Sequence, residues 1–328
     1  MAKIGLSYTS IENARLNLET EAEGLAFDEV REQTQDKWRE QLGRIRVQGG
    51  TQDSRVKFYT GLYHCLLGRG LASDVNGAYP KHKGTIGQVP MEGGKPKYRM
   101  YNTDAMWGGQ WNLTQLWALA YPEHLSEFVS STLQEYKDCG WLADGLANSK
   151  YVSGVGTNQL PLMIDAAYQC GIRDFDLELA YKGLKKMMTT PPFRYEGGGT
   201  VGVEDLVPYM QYGYIPHGLG RSSNTLEYAY DDWCMAQMAK HLGYTEDYAY
   251  FLKRSESWMQ LFDPETGFVR PKDKDGNWVT PFDPYHTPGF TEGNSFNYAW
   301  FVPHTPEKLV RLMGRDRFVA RLDSAMQK

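Results

Sequence analysis

No run of about 18 apolar residues occurs in the 328-residue chain, so no segment reads as a membrane-spanning helix. An excess of positive charge is missing too. The 35 Lys and Arg stand against 40 Asp and Glu, a net charge of −5, with no basic cluster. That balance argues against a nucleic-acid partner. Cysteine is scarce: Cys65, Cys139, Cys170 and Cys234 are widely spaced, without a Cys-x-x-Cys. They indicate neither a zinc site nor a disulfide framework and read as buried free thiols. The opening Met1-Ala2-Lys3-Ile4-Gly5 has no apolar core of the kind a secretory leader carries. Aromatic residues, by contrast, are abundant. Nine Trp and 22 Tyr suit either sugar stacking or a large helical core. With 41% hydrophobic residues, the chain can bury the core of one large domain or two modest ones.

Apolar spacing predicts helices over residues 10–22, 26–43, 53–67, 111–120, 123–138, 159–171 and 176–188. Others run from Thr225 to a stop at Gly243, from Thr245 to near Phe262, and from Pro306 to Met326. Asp28 reads as a cap, His64 as a core or capping histidine, and Lys3 to Thr9 as a short strand. Pro80 to Tyr98 and Asp205 to Gly220 read as loops. Asp273 to Asn277 reads as a hairpin turn between Phe268-Val269 and Trp278-Val279. It lacks the later Glu of a calcium loop. Helix, turn, helix and long aromatic loop recur in order. The pattern predicts a mainly α fold, an α/α toroid of the six-hairpin type, with a pocket built from loops at one mouth.

Three stretches could carry chemistry. In Gly289-Phe290-Thr291-Glu292-Gly293-Asn294 a single acid lies among aromatics, which could supply a dry wall or a stacking face. A Gly after the acid permits close approach or a positive φ. An ordinary turn Glu facing water is the competing reading. On the helix from Thr225, Glu227 and Asp231 share a face and Asp232 lies beside them. Such crowding needs a cation, an Arg or water, and Arg221 is close in sequence. Tyr228, Tyr230 and Trp233 around the acids point to a pocket or a structural network. Asp104 and Trp107, in Tyr101 to Trp111, suit a sugar floor, or equally a helix cap and a core side chain.

The Thr291-Glu292-Gly293-Asn294 motif and Thr225 to Cys234 resemble glycoside hydrolase family 92, the calcium-dependent exo-acting α-mannosidases. Ser73-Asp74-x-x-Gly77-x-Tyr79, Gly140-Trp141-Leu142 and Gly213-Tyr214-Ile215-Pro216 extend the likeness from about residue 4 to the end. The resemblance implies an inverting α-1,2-mannosidase with Glu292 as general acid. It also implies a mannoside glycan as substrate, calcium as cofactor and a periplasmic or secreted full-length protein. Trp107, Asp104, Asn294, Glu227, Asp232, Arg221 and Tyr214 become candidate substrate contacts.

Two departures stand out. Gly108 replaces the family's sugar-contacting Asp after Trp107, and Gly156-Thr157-Asn158 replaces Gly-Asp-His. The family's base lies in a Gly-Asn-Asp-Asp motif well beyond the acid, and these 328 residues contain no such motif. The expectation is therefore a central piece of the enzyme, inactive alone. Residues 1–50 would be a linker and the remnant of an N-terminal β-sandwich region, and 51–328 a truncated toroid. A degenerate carbohydrate-binding or structural toroid is the alternative. Another toroid glycosidase or lyase would instead place Tyr214, His217 or Asp232 opposite Glu292.

Overall fold

The computed structural model describes residues 2–67, 70–81, 84–102, 108–142, 146–147, 150–151, 159–194 and 200–327. The described residues are mainly helical, as the mainly α expectation requires. Strands among the described residues pair only as two-stranded antiparallel hairpins. The chain divides into two compact units.

The first unit holds residues 1–152, 166–177 and 197–199. It opens with α1 (Ile11–Ala22), α2 (Phe27–Leu42) and α3 (Gln52–Leu66). Ser10 Oγ caps α1, accepting the Asn13 N–H at 3.0 Å. Asp28 does not cap α2. Glu29, at the third helical position, reaches back to the Ala26 N–H at 2.6 Å, and Asp28 pairs with Arg31 instead. Residues 2–9 form no strand. Lacking a partner strand, they are held through side chains instead: the Ser7 and Thr9 hydroxyls donate to Asp74, and Lys3 to the Ala22 carbonyl.

Pro80 to Tyr98 is not one loop. It folds into β1 (Ala78–Pro80) with β2 (Ile86–Gln88) and β3 (Met91–Glu92) with β4 (Lys95–Pro96). Tyr79, Val89 and Met100 gather into a small core there. Then α4 (Gly109–Ala120) and α5 (Pro122–Cys139) flank Tyr121, as predicted, with Pro122 at the first position of α5. Leu125, Phe128, Val129 and Leu133 bury one face of α5. The hairpin β5 (Leu146–Ala147) and β6 (Lys150–Tyr151) follows.

The second unit holds residues 153–165, 178–196 and 200–328. The helices α6 (Leu160–Gln169) and α7 (Leu177–Thr189) match expectation, and β7 (Phe193–Arg194) pairs with β8 (Thr200–Val201). The expected loop before Gly213 contains α8 (Leu206–Tyr212), because Leu206 and Tyr209 have a core to enter. α9 (Asn224–Leu242) is buried along most of its length and stops at Gly243, whose φ of 77° an L-residue resists. It packs against α10 (Thr245–Arg254). That helix ends early, where Ser255 Oγ donates to the Leu252 carbonyl and a 3-10 turn takes over at Ser257–Leu261.

β9 (Phe262–Asp263) is the partner of β10 (Phe268–Val269). Trp278 makes only a bridge to Lys272, so the predicted hairpin is displaced. The Asp273 turn itself is present: Asp273 Oδ1 accepts the N–H groups of Asp275 and Asn277. Last come α11 (Ser295–Tyr298), α12 (Pro306–Met313) and α13 (Arg315–Met326). The single helix expected over 306–326 breaks at Gly314, where φ is 84° and ψ 135°. Leu226, Ala229, Trp258, Leu261, Tyr298 and Val302 form much of this unit's core.

Candidate active site

The site is built on four small polar residues. Ser222, Ser223, Asn224 and Thr225 open α9 and are wholly buried. Buried hydroxyls and amides need partners. Two loop segments provide them. Thr225 Oγ1 accepts the Ile215 N–H at 2.9 Å, and Ser222 Oγ donates to the Ile215 carbonyl at 3.2 Å. Ser223 holds the other segment. Its N–H donates to the Gly289 carbonyl at 3.1 Å, and its Oγ accepts the Thr291 N–H at 3.0 Å.

Glu292 follows at once. It is exposed, with φ of 47°, and is the one non-glycine at positive φ among the described residues. That backbone costs an L-residue roughly 1–2 kcal/mol, so it persists only where neighbours fix it. Of the two ends its position allowed, Gly293 serves close approach. Its own φ is not positive; a Cβ there would lie 3.1 Å from the Tyr298 ring. The bend belongs to Glu292 and the close approach to Gly293.

The expected dry wall does not form. Phe290 packs on Tyr298, with centroids 5.4 Å apart, and Phe296 stacks on Tyr285 at 5.0 Å. The rings bury one another and leave the carboxyl exposed, since ring-on-ring burial costs no desolvation of charge. Asn294 turns its side chain to the fold. Its Oδ1 caps α11 at the Asn297 N–H, 3.0 Å away, and its Nδ2 donates to the Tyr285 carbonyl at 3.1 Å.

Glu227 lies under the loop. Its Oε2 accepts Gln159 Nε2 at 2.9 Å, and its Oε1 is 3.4 Å from the Tyr298 hydroxyl. That hydroxyl also reaches the Thr291 carbonyl at 3.1 Å, so Tyr298 joins Glu227 to the segment bearing Glu292. Burial first, and then the Glu227 charge, push the Tyr298 phenol above its ordinary range, so it stays neutral and donates.

Other candidates are placed elsewhere. Asp232 is fully buried in a two-pronged pair with Arg254, at 2.5 and 2.7 Å, and accepts the Tyr209 hydroxyl at 2.8 Å. Its acceptors are occupied inside the fold. Arg254, rather than Arg221, therefore offsets the Asp232 charge. Arg221 is half-exposed; its N–H donates to Asp205 Oδ2, and its guanidinium is 3.9 Å from Glu204. Tyr214 is buried and donates to the Asp273 carbonyl at 2.7 Å. Tyr214 and Asp232 are buried with these partners, whereas Glu292 is exposed. His217 is exposed near Gly289: its Nδ1 would lie 3.6 Å from a Cβ added there. Trp107, Asp104, Thr157 and Asn158 lie outside the described residues. Gly108, which precedes α4, has φ of 83°, a conformation an Asp would adopt only under strain.

Among the described residues, no group of three His, Cys, Asp or Glu is placed to hold a metal. The calcium that the resemblance implies therefore finds no acidic cluster among them, and the carbonyl and amide oxygens that such an ion also takes are not assigned. Two open grooves of about 530 Å³ lie between α2 and α3, lined by Tyr59, Tyr63 and Trp38, and neither includes Glu292. Sequence reasoning missed Ser223, Gln159, Arg254 and Tyr209. Only Ser223 gave a signal, in the Ser-Ser-Asn-Thr run before a helix.

A helical domain with one exposed, backbone-strained carboxylate on a pinned loop now meets its relatives. These are glycosidases. The model of the glycosyl hydrolase family 92 catalytic domain matches residues 13–328. The chain belongs to that family. It is 26% identical over 359 aligned positions to an uncharacterized secreted glycosidase of Arthroderma benhamiae, across 98% of this chain and 41% of the relative. It also resembles the solved inverting mannosidase of the family from Bacteroides thetaiotaomicron, with TM-score 0.86 and 28% identity. That match covers 97% of this chain and 43% of that one. A family 92 α-mannosidase of the same organism is 30% identical, with TM-score 0.79, over 97% of this chain and 41% of its own. The chain thus spans less than half the length of these relatives.

Proposed function

We propose that this chain carries the proton-donating half of an exo-acting, inverting α-mannosidase, with Glu292 as general acid. One observation carries the reading: Glu292 is held exposed at a left-handed backbone by a loop fastened to buried Ser223. Strain kept at an exposed acid is the pattern of a functional group rather than of a turn. The relatives' mannosidase activity supports the substrate class, a mannoside glycan. Inversion needs a second carboxylate to activate water on the opposite face of the sugar. No Gly-Asn-Asp-Asp motif occurs in these 328 residues, so the proposal leaves that role to residues outside them. A docked sugar, rather than Phe290 or Phe296, would exclude water from Glu292.

Residues 51–328 are proposed to belong to an α/α toroid, and 1–50 to a linker region. Calcium and a secreted or periplasmic setting are carried over as proposals from the family and from the secreted relative. A carbohydrate-binding domain without turnover is the second reading. The left-handed Gly108, in place of a sugar-contacting Asp, favours it.

Leaving-group dependence separates the two. Azide can stand in for the activated water, so cleavage is followed with azide present. Loss of a general acid stops cleavage of α-mannobiose, whose departing alkoxide needs a proton. It spares dinitrophenyl α-mannoside, whose departing phenolate does not. Glu292→Gln is expected to show that split. Equal, measurable rates for wild type and Glu292→Gln on α-mannobiose would refute Glu292 as the donor, and binding of α-mannobiose with no cleavage of dinitrophenyl α-mannoside even in azide would favour the binding reading.

A further inference from the structure

Tyr285 stands on the same loop as Glu292, in surroundings suited to a sugar. Its ring stacks on Phe296, with planes 29° apart, yet the residue stays 46% exposed. Phe296 packs on Phe268 at 6.4 Å, and the Arg321 guanidinium covers Phe268, 3.7 Å from its centroid. The backbone beneath the ring is tied as well. The Tyr285 N–H donates to Asp283 Oδ1 at 2.9 Å, and its carbonyl accepts Asn294 Nδ2 at 3.1 Å. The Phe296 N–H donates to the Pro284 carbonyl at 3.0 Å. A ring already fixed in this way loses little freedom on binding.

The neighbouring polar groups suit the same ligand. His286, with 84% of its side chain exposed, pairs with Asp283 at 2.9 Å. An apolar face with a polar edge complements a pyranose, which has a C–H face and a hydroxyl rim. Position then selects which sugar. A general acid works at the bridging oxygen, between the released sugar and the leaving group. The Asn294 amide links Tyr285 to a point two residues from Glu292. In exo cleavage the terminal sugar is enclosed, and an open ring suits the part of the glycan that continues outward.

We propose that Tyr285 is the stacking platform for the leaving-group sugar, with His286 and Asp283 at its polar edge. The assignment rests on Glu292 as the proton donor. Saturation-transfer NMR and calorimetric titration of the 328-residue chain with α-mannobiose test it. Tyr285→Ala weakens binding about three- to tenfold, and Tyr285→Phe, which keeps the ring, changes it by less than about twofold. The proposal is overturned if the alanine variant binds as wild type, if the phenylalanine variant falls as far as alanine, or if the wild-type chain shows no saturation transfer. Glu292→Gln leaves this binding in place. If Tyr285→Ala weakens binding while cleavage proves independent of Glu292, the acid assignment falls and the platform stands as a glycan-binding surface.

Discussion

The Thr291 N–H donates to the buried Oγ of Ser223 across 3.0 Å, and Glu292 leaves the fold one residue later. The Ser223 N–H also holds the Gly289 carbonyl. One residue at the start of α9 therefore fixes both flanks of the bend that presents the acid, the Gly289 side by its backbone and the Thr291 side by its hydroxyl. Ser223→Ala removes the acceptor and orphans a buried amide, at a cost of about 1–3 kcal/mol. Urea denaturation measures the loss. Amide exchange at Thr291 should quicken more than exchange along α9.

Glu292 keeps a backbone conformation that glycine would adopt without strain. Glu292→Gly relieves roughly 1–2 kcal/mol of strain and adds unfolded-state entropy worth about half as much. A small net stabilisation is expected, read as a rise in Tm, together with loss of α-mannobiose cleavage. A fall in Tm would show that the carboxylate contributes to the fold.

Asp232 and Arg254 form a desolvated pair that Tyr209 completes. Removing one partner strands a buried charge, so Arg254→Met should cost about 3–5 kcal/mol. The double variant Asp232→Leu/Arg254→Met should recover part of that. A double-mutant cycle by denaturation measures the coupling, and additive single losses would contradict the pairing.

His304 packs flat on Tyr230 at 5.5 Å, and its Nε2 donates to the Ser255 carbonyl at 3.0 Å. Burial lowers its pKa from 6.5 to about 4, because the charged ring would lose its water. The fold thus holds the neutral form. Stability from this group is complete above pH 6.5 and declines as the pH falls toward about 4. Urea midpoints across that range should drop in wild type and drop less in His304→Gln.

Helices were legible wherever one apolar face repeats at helical spacing, as in α5, or where a cap stands at the start, as with Ser10 before α1. Element ends were less so. Gly314 splits the last helix, and Ser255 halts α10, through local geometry that a periodic pattern averages away. The candidate acid was legible from its motif. The fate of the aromatics beside it was not, because whether Phe296 faces Glu292 or Tyr285 depends on a loop closing over many residues.

Local order in the chain was enough to determine a mainly helical fold, the absence of any long apolar span, and the family motif around Glu292. Tertiary structure alone decided which acids are available. Asp232 is consumed by an arginine 22 residues away, Glu227 is held by Gln159 and Tyr298, and Glu292 is left in the open. The physical reason is burial. A carboxylate's role depends on whether water or a distant partner solvates it, and spacing along the sequence does not record that.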